Sequence, residues 1–229
     1  MLSMYSVCEI PREIVDRVGK NIQYQFYLRK RILSGEDFEE TWAWAIDGKQ
    51  CKGRNLEDVI KNKTAWSAKT IQKEKPFDAQ KVRVIAGRMK LEMRGIDNCF
   101  NDVQFSGDKV LEVWNDRVRI AKEKYNDFRT IFLLRDDDTL SYTLWEDEIK
   151  IYNPSEYKWV SNGGKNFEAY SNLTGKHCFT WQSGGGQFTI FEEVPKNAYK
   201  FTVPKPPFTV GGVEEVSKLL GFNGVNFKN

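Results

Sequence analysis

Asp58, Ser67 and Lys69 are the residues of this chain whose types and spacing best suit a chemical reaction. Asp58 begins a short apolar strand that leads through a turn into a second strand. That second strand carries Ser67 and Lys69 on one face, because side chains alternate along a strand. An aspartate carboxylate can hold a divalent ion, and an ammonium group beside it can orient an attacking water and stabilise charge on a phosphate. The arrangement therefore suits hydrolysis of a phosphodiester bond.

The other reactive side chains support fewer chemistries. His177 is the only histidine, so centres built from several histidines are excluded and a Ser/His/Asp mechanism would depend on it alone. Its neighbours alternate like a strand, which favours a structural or binding role. The four cysteines form no CxxC pair, so neither a zinc knuckle nor a disulfide framework is indicated and a reduced, cytoplasmic protein is expected. Any metal would be held by carboxylates, which suit a hard ion such as Mg²⁺.

Basic residues are concentrated in the middle of the chain. Residues 49 to 94 contain 13 Lys and Arg against 5 Asp and Glu, a surplus of +8, so the remainder carries −5 of the net +3. A basic segment of this kind is typical of proteins that bind the phosphate backbone of a nucleic acid. Alternatively, the segment forms an ordinary charged surface exposed to solvent. Net charge alone does not distinguish this surface from one that binds a nucleic acid.

Hydrophobic periodicity predicts an α/β protein of the α+β type, with a second half that is mostly strand. We expect one domain over residues 1 to 229, with a helical N-terminus and catalytic core in 1 to 135 and a β-rich recognition part in 136 to 229. No apolar run approaches the roughly 18 residues that cross a bilayer, so no membrane partner is expected. The predicted helices cover residues 11–34, 37–46, 107–125 and 213–220, and the predicted strands cover 58–60, 65–71, 81–87, 129–135, 139–145, 150–152, 157–160, 167–170, 178–182 and 187–191.

The two strands around Asp58 and Lys69 resemble the metal site of the PD-(D/E)XK nuclease superfamily, and of type II restriction endonucleases in particular. In that superfamily an acid at the end of one strand and an acid-x-Lys motif on the next form the metal site, and the matching residues here are Asp58 and Lys69. Two positions depart from the pattern, since Glu57 replaces a proline and Ser67 replaces the second acid. Some restriction endonucleases also carry Ser-x-Lys and take the missing carboxylate from elsewhere in the fold.

The resemblance rests on residues 58 to 69 and on their helix and strand context over 36 to 135. It implies a restriction-endonuclease-like central mixed sheet flanked by helices, with Mg²⁺ held by Asp58 and a substitute acid. We favour Glu40, on the helix before the strands, as that acid. Alternatively, the acidic residues of this helix have no role in a metal site and simply form its solvent-exposed face. The candidates for the substitute acid are Glu39, Glu40, Glu57 and Glu92.

Target recognition needs donors and acceptors that reach base edges in a groove. A predicted hairpin in the β-rich half contains three glycines, which allow close backbone approach, and glutamines, which can pair with adenine. We place Lys176 and His177 at the same end of this hairpin as the glycines, and a flexible hairpin without a ligand is the alternative. The candidate DNA-binding residues are Arg88, Lys90, Arg94, Lys176, His177, Gln182, Ser183 and Gln187.

These features favour a Mg²⁺-dependent, sequence-specific endonuclease that acts on double-stranded DNA. A homodimer is expected, because two-fold symmetry matches the cutting of both strands at a palindrome. One alternative is a nucleic-acid-binding module without chemistry, whose β-rich half supplies stacking aromatics. The other is a β-sandwich that binds sugar or protein through exposed tryptophans among Trp145, Trp159 and Trp181.

Overall fold

The computed structural model describes residues 5–29, 32–53, 55–91, 99–164 and 166–205. Within these ranges the chain forms three α-helices and eleven strands, which are arranged in two sheets. The predicted mixed α/β class is therefore confirmed. The short helix predicted over residues 213 to 220 lies outside the described residues.

The helices are α1 (Arg12–Arg29), α2 (Gly35–Ile46) and α3 (Val103–Lys124). Helix α2 begins with a capping box, in which Ser34 and Asp37 each accept a hydrogen bond from the other's backbone N–H. It ends at Asp47, which adopts the left-handed conformation with a φ of 55°. None of the helices in the described ranges is long and apolar enough to cross a membrane.

The first sheet has the strand order β1-β2-β3-β5-β6-β11, and the second has the order β4-β10-β9-β8-β7. Strands β3 and β5 are parallel and are connected through β4 and α3, whereas the other neighbours in both sheets are antiparallel. The strands are β1 (Lys49–Gln50), β2 (Val59–Lys61), β3 (Thr64–Gln72), β4 (Lys81–Arg88), β5 (Asp127–Asp136), β6 (Ser141–Glu148), β7 (Tyr157–Ser161), β8 (Asn166–Ser171), β9 (His177–Gln182), β10 (Gln187–Glu193) and β11 (Tyr199–Thr202).

Strand membership does not follow the expected boundary at residue 135. Strand β4 from the first half pairs with β10 of the second sheet, while β6 and β11 from the second half complete the first sheet. The two halves of the chain therefore share both sheets.

The first sheet separates two apolar cores. Helices α1 and α2 cover one of its faces, and α3 together with the second sheet covers the other. Trp145, Trp159 and Trp181 are 5%, 4% and 1% exposed. The exposed tryptophans on which a sugar- or protein-binding sandwich would depend are thus buried core residues.

The predicted strand over residues 150 to 152 is wrong, because this segment is irregular and bonds to α3 instead. Trp114 donates its indole N–H to the Lys150 carbonyl at 2.9 Å. The Asn115 side chain donates to the Tyr152 carbonyl at 2.6 Å and accepts from its N–H at 2.9 Å. Side chains of α3 therefore satisfy the backbone groups that a neighbouring strand would otherwise take. Strands β1 and β11 are short and were not predicted.

Candidate functional site

The structure brings Asp58, Ser67 and Lys69 together. The Ser67 hydroxyl donates to Asp58 Oδ2 at 3.2 Å, and the Ala68 backbone N–H donates to the same oxygen at 2.7 Å. The Lys69 ammonium lies 3.5 Å from this oxygen, with both side chains partly exposed, Lys69 at 26% and Asp58 at 22%. Three donors therefore converge on one carboxylate oxygen within reach of solvent.

The local register of the β2–β3 hairpin explains this convergence. Val59 pairs with Trp66, and the Asp58 N–H donates to the Trp66 carbonyl, so Asp58 lies just before β2 at the level of Trp66 and Ser67. Its carboxylate reaches the Ser67 hydroxyl, and Lys69 is the next residue of β3 on the same face as Ser67. The hairpin turns at Asn62, whose φ of 55° is one that asparagine tolerates.

Among the described residues, strand β3 has an open edge beyond Trp66. Strand β2 pairs only as far as that residue, whereas β5 pairs with β3 along all nine of its residues. The Ala68 N–H therefore points toward the edge of β3 that β2 does not cover, where the Asp58 carboxylate accepts its hydrogen bond. The Ala68 carbonyl points to the same side, because the N–H and C=O of one strand residue share a direction.

Glu39 is the helix acid whose charge is coupled to this site. Burial raises the pKa of Glu39, a hydrogen bond from Gln50 opposes that rise, the charge of Asp58 adds to it and that of Lys69 lowers it. The Gln50 amide donates to Glu39 Oε2 at 3.1 Å. Glu39 thus lies near enough to Asp58 and Lys69 to respond to both charges.

The structure places the other candidate acids elsewhere. Glu40 is exposed on α2 and is turned roughly 100° around the helix axis from Glu39. Glu57 is buried on the α3 side, where it accepts from Lys124 at 2.6 Å and from Tyr125 at 3.3 Å. Burial opposes ionisation of Glu57, but these donors lower its pKa. Glu57 is therefore a structural ion-pair partner, and Glu92 lies outside the described residues.

Oxygen donors at the open edge are few. Within the described ranges no group of three or more His, Cys, Asp or Glu side chains is arranged to hold a metal ion. The three contacts of Asp58 with described residues all go to Oδ2, so within the described ranges Oδ1 is available to a ligand. The Asp58 and Glu39 carboxylates and the Ala68 carbonyl are the oxygens that could bind a hard cation here.

The site also borders the space between the two sheets. A cavity of about 30 Å³ is lined by Ser67 and Lys69 of β3 and by Val84 and Ala86 of β4, among others. That space is enough to hold a water molecule. Strand β4, within the basic segment, therefore lies directly across from Lys69.

Several of the expected DNA-binding residues are neighbours at one end of the second sheet. Gln187 pairs directly with Arg88 on one side and with Gln182 on the other. Ser183 lies in the turn that follows Gln182, and Lys90 is exposed two residues after Arg88. Arg94 lies outside the described residues.

Lys176 and His177 lie at the other end of the second sheet, which corrects the expectation that they border the glycine turn. Strand β9 begins at His177 and ends at Gln182, a separation of about 17 Å at the usual rise per residue. The His177 ring stacks on Tyr170 and contacts Phe191. Lys176 forms an exposed ion pair with Glu193 at 2.6 Å. These contacts give both residues structural partners within the sheet.

Sequence reasoning favoured Glu40 over Glu39, and it missed the participation of Asn166, which pairs with Gln182. A signal for Glu39 exists, because it borders the apolar stripe of α2 formed by Phe38, Trp42 and Ile46, whereas Glu40 lies nearly opposite. No local signal identifies Asn166. Comparisons with protein-family models, curated proteins and solved structures found no match for this chain.

Proposed function

We propose that this chain is a Mg²⁺-dependent, cytoplasmic type II restriction endonuclease with a restriction-endonuclease-like fold, which hydrolyses phosphodiester bonds of double-stranded DNA at a specific site. The observation that carries the proposal is the convergence of Ser67, Ala68 and Lys69 on Asp58 at the open edge of β3. The surplus of basic residues between 49 and 94 supports a polyanionic substrate.

The donor set at the open edge fits Mg²⁺, which binds through one or two carboxylates and keeps several waters. Asp58 and Glu39 would hold the ion, together with the Ala68 carbonyl. When bound, it would supply a more acidic water and stabilise charge on the phosphate.

The protein side chains then have separate tasks. The Ser67 hydroxyl and the Ala68 N–H hold the Asp58 carboxylate in one orientation. Lys69 is a partly exposed cation that can exchange its ion pair with Asp58 for a contact with the attacking water or with a phosphate oxygen. Glu39 adds a second carboxylate, and burial raises its pKa.

The proposal includes a homodimer, because cutting both strands at a palindrome needs two such sites related by two-fold symmetry. Light scattering on the free protein and on its DNA complex tests this part separately from cleavage.

The cleavage proposal is tested by incubating the protein with plasmid or phage DNA, with and without Mg²⁺, and looking for discrete fragments. Asp58→Asn and Lys69→Ala are each expected to lower the cleavage rate by about 10²- to 10⁴-fold. Lys200→Ala, in β11 of the same sheet, is the matched control and is expected to cut normally. Thermal unfolding of each variant verifies that the fold is intact. Normal cleavage by Asp58→Asn or Lys69→Ala would exclude the proposed site.

A nucleic-acid-binding module without chemistry is the second candidate. It is favoured by the ion pair between Lys69 and Asp58 and by the lack of a three-acid cluster in the described part of the chain. This candidate predicts tight binding that weakens with salt, and no cleavage in Mg²⁺ or Mn²⁺.

A further inference from the structure

Four polar side chains form a row across the end of the second sheet. Arg88 of β4 pairs with Gln187 of β10, Gln187 pairs with Gln182 of β9, and Gln182 pairs with Asn166 of β8. Directly paired residues share one face of a sheet. At the usual spacing between strands the row is about 14 Å long.

The row lies on the outward face of the sheet. The neighbouring row contains Phe188, Trp181 and Phe167, which are at most 1% exposed and belong to the core beneath α3. Alternation along each strand therefore turns the four polar side chains away from that core. Arg88 is exposed and the other three are half-exposed. In the described part of the protein, no side-chain hydrogen bond or ion pair engages any of the four.

The turn beside this row contains two glycines that the backbone conformation does not require. Gly186 has a φ of 63°, and a Cβ there would lie 2.9 Å from the Met89 carbonyl, so the fold needs glycine at this position. A Cβ on Gly184 or Gly185 would meet nothing within 4 Å, and neither residue has a left-handed φ. Glycine at these two positions leaves the backbone at the tip open to a ligand that approaches closely.

The chemistry of the row matches base edges in a DNA major groove. A glutamine or asparagine amide pairs with N6 and N7 of adenine, and an arginine pairs with O6 and N7 of guanine. The groove is about 12 Å wide. The β9–β10 hairpin, which lies between β4 and β8 in the sheet, carries Gln182 and Gln187 side by side at its turn end, with Cβ atoms about 5 Å apart. The two amides can therefore reach neighbouring base pairs, which are stacked about 3.4 Å apart.

We infer that the turn end of the β9–β10 hairpin faces the major groove, where Gln182 and Gln187 read the adenines of consecutive A·T pairs. Arg88 and Asn166 border the groove on either side, and the open turn of Gly184 and Gly185 contacts the sugar-phosphate backbone. This inference rests on the proposed duplex DNA substrate and names the bases that the protein selects. RNA duplexes are excluded as the ligand in this mode, because their deep, narrow major groove is closed to side chains.

The test separates binding from cleavage. Duplexes selected from a random DNA library without divalent metal are sequenced, and affinities for the selected site are measured by fluorescence anisotropy. The wild-type protein is expected to select consecutive A·T pairs and to lose affinity when 7-deazaadenine replaces adenine there. Gln182→Ala and Gln187→Ala are each expected to weaken binding to the selected site by about 5- to 150-fold and to relax selection at one pair.

Two sets of controls keep the result interpretable. Gln80→Ala, just before β4 at the end opposite Arg88, is expected to bind and select normally. Gly184→Ala and Gly185→Ala should unfold at the wild-type temperature but bind more weakly, whereas Gly186→Ala should unfold at a lower temperature.

The inference is overturned if both glutamine variants keep full selectivity, if the selected site lacks consecutive A·T pairs, or if the protein binds only RNA or no nucleic acid. Selective binding that is lost in the glutamine variants, without cleavage by the wild-type protein in Mg²⁺, would support the inference and reject the nuclease. Cleavage at discrete sites that does not depend on either glutamine would support the nuclease and overturn the inference.

Discussion

Asp58 is the residue on which the candidate site depends, because its Oδ2 atom accepts from Ser67 and from Ala68 while it pairs with Lys69. Two of these donors belong to neutral groups that hold the carboxylate in place. The third is a cation that can move to another anion. In the proposed nuclease, Ser67 would orient Asp58, and Glu39 would supply the second negative charge.

The two neighbouring acids of α2 are expected to differ in importance. Glu39→Gln removes a charge that is coupled to Asp58 and Lys69, and we expect Mg²⁺-dependent cleavage to fall by about 10- to 100-fold. Glu40→Gln alters an exposed side chain on another side of the helix and is expected to have the smaller effect. Cleavage rates measured across a range of Mg²⁺ concentrations compare the two variants. A larger loss in Glu40→Gln would restore the assignment made from sequence.

At the scale of elements, the difference in length between two strands creates the open edge. Strand β2 has three residues and β3 has nine, so in the described part of the chain most of β3 has a neighbouring strand on one side only. The parallel partner β5 requires a crossover connection, and α3 lies within it. Helix α3 packs on the second sheet, in which β4 pairs with β10.

Gly107 makes this packing possible. A Cβ at this position would lie 2.2 Å from the ring of Trp159 in β7. Gly107→Ala is therefore expected to lower the free energy of unfolding by about 1–3 kcal/mol, because α3 and β7 must separate to admit the methyl group. Urea unfolding measures the change.

Gly35→Ala is the control for this substitution, since α2 begins at this residue and a Cβ there meets nothing within 4 Å. Its free energy of unfolding should remain within about 0.5 kcal/mol of the wild-type value. Equal stability of the two variants would show that the contact between α3 and β7 is looser than described.

At the scale of the whole molecule, a buried ionic network joins the N-terminal segment to the first sheet. Arg129 is 4% exposed and lies 2.9 Å from Glu146, whose side chain is 0% exposed. Arg129 also pairs with Asp127 and donates to the Tyr5 carbonyl. Glu146 accepts from the Trp66 indole at 3.0 Å and from the Tyr5 hydroxyl at 3.1 Å. Burial raises the pKa of Glu146, and the charge of Arg129 is the first of the effects that oppose it.

Arg129→Met is expected to destabilise the protein by about 3–5 kcal/mol at neutral pH, because it leaves the Glu146 charge buried without a cation. The folded-state pKa of Glu146 then rises further above its ordinary value of 4.5. A buried carboxyl with a raised folded-state pKa destabilises the fold little while it is protonated. The free energy of unfolding then falls as the pH rises through that pKa. The deficit of the variant should therefore be larger at about pH 8 than at about pH 5.

Arg119→Met provides the comparison, because the pair between Arg119 and Asp116 is exposed on α3. Its effect should be at most about 1 kcal/mol and insensitive to pH in this range. Chemical unfolding at both pH values tests the two variants, and a deficit of Arg129→Met that is constant with pH would contradict the expected titration of Glu146.

Local patterns in the sequence determined the three helices, most of the strands and the approach of Ser67 and Lys69 to Asp58. These features depend on side-chain periodicity and on a tight hairpin, in which a turn of fixed length sets which residues face each other. Tertiary structure decided that β4 joins β10, that Asn166 aligns with Gln182, and that Glu39 rather than Glu40 approaches Asp58. Such pairings join residues far apart in the chain, and they are selected by which faces the two cores bury. No spacing within a short segment contains that information.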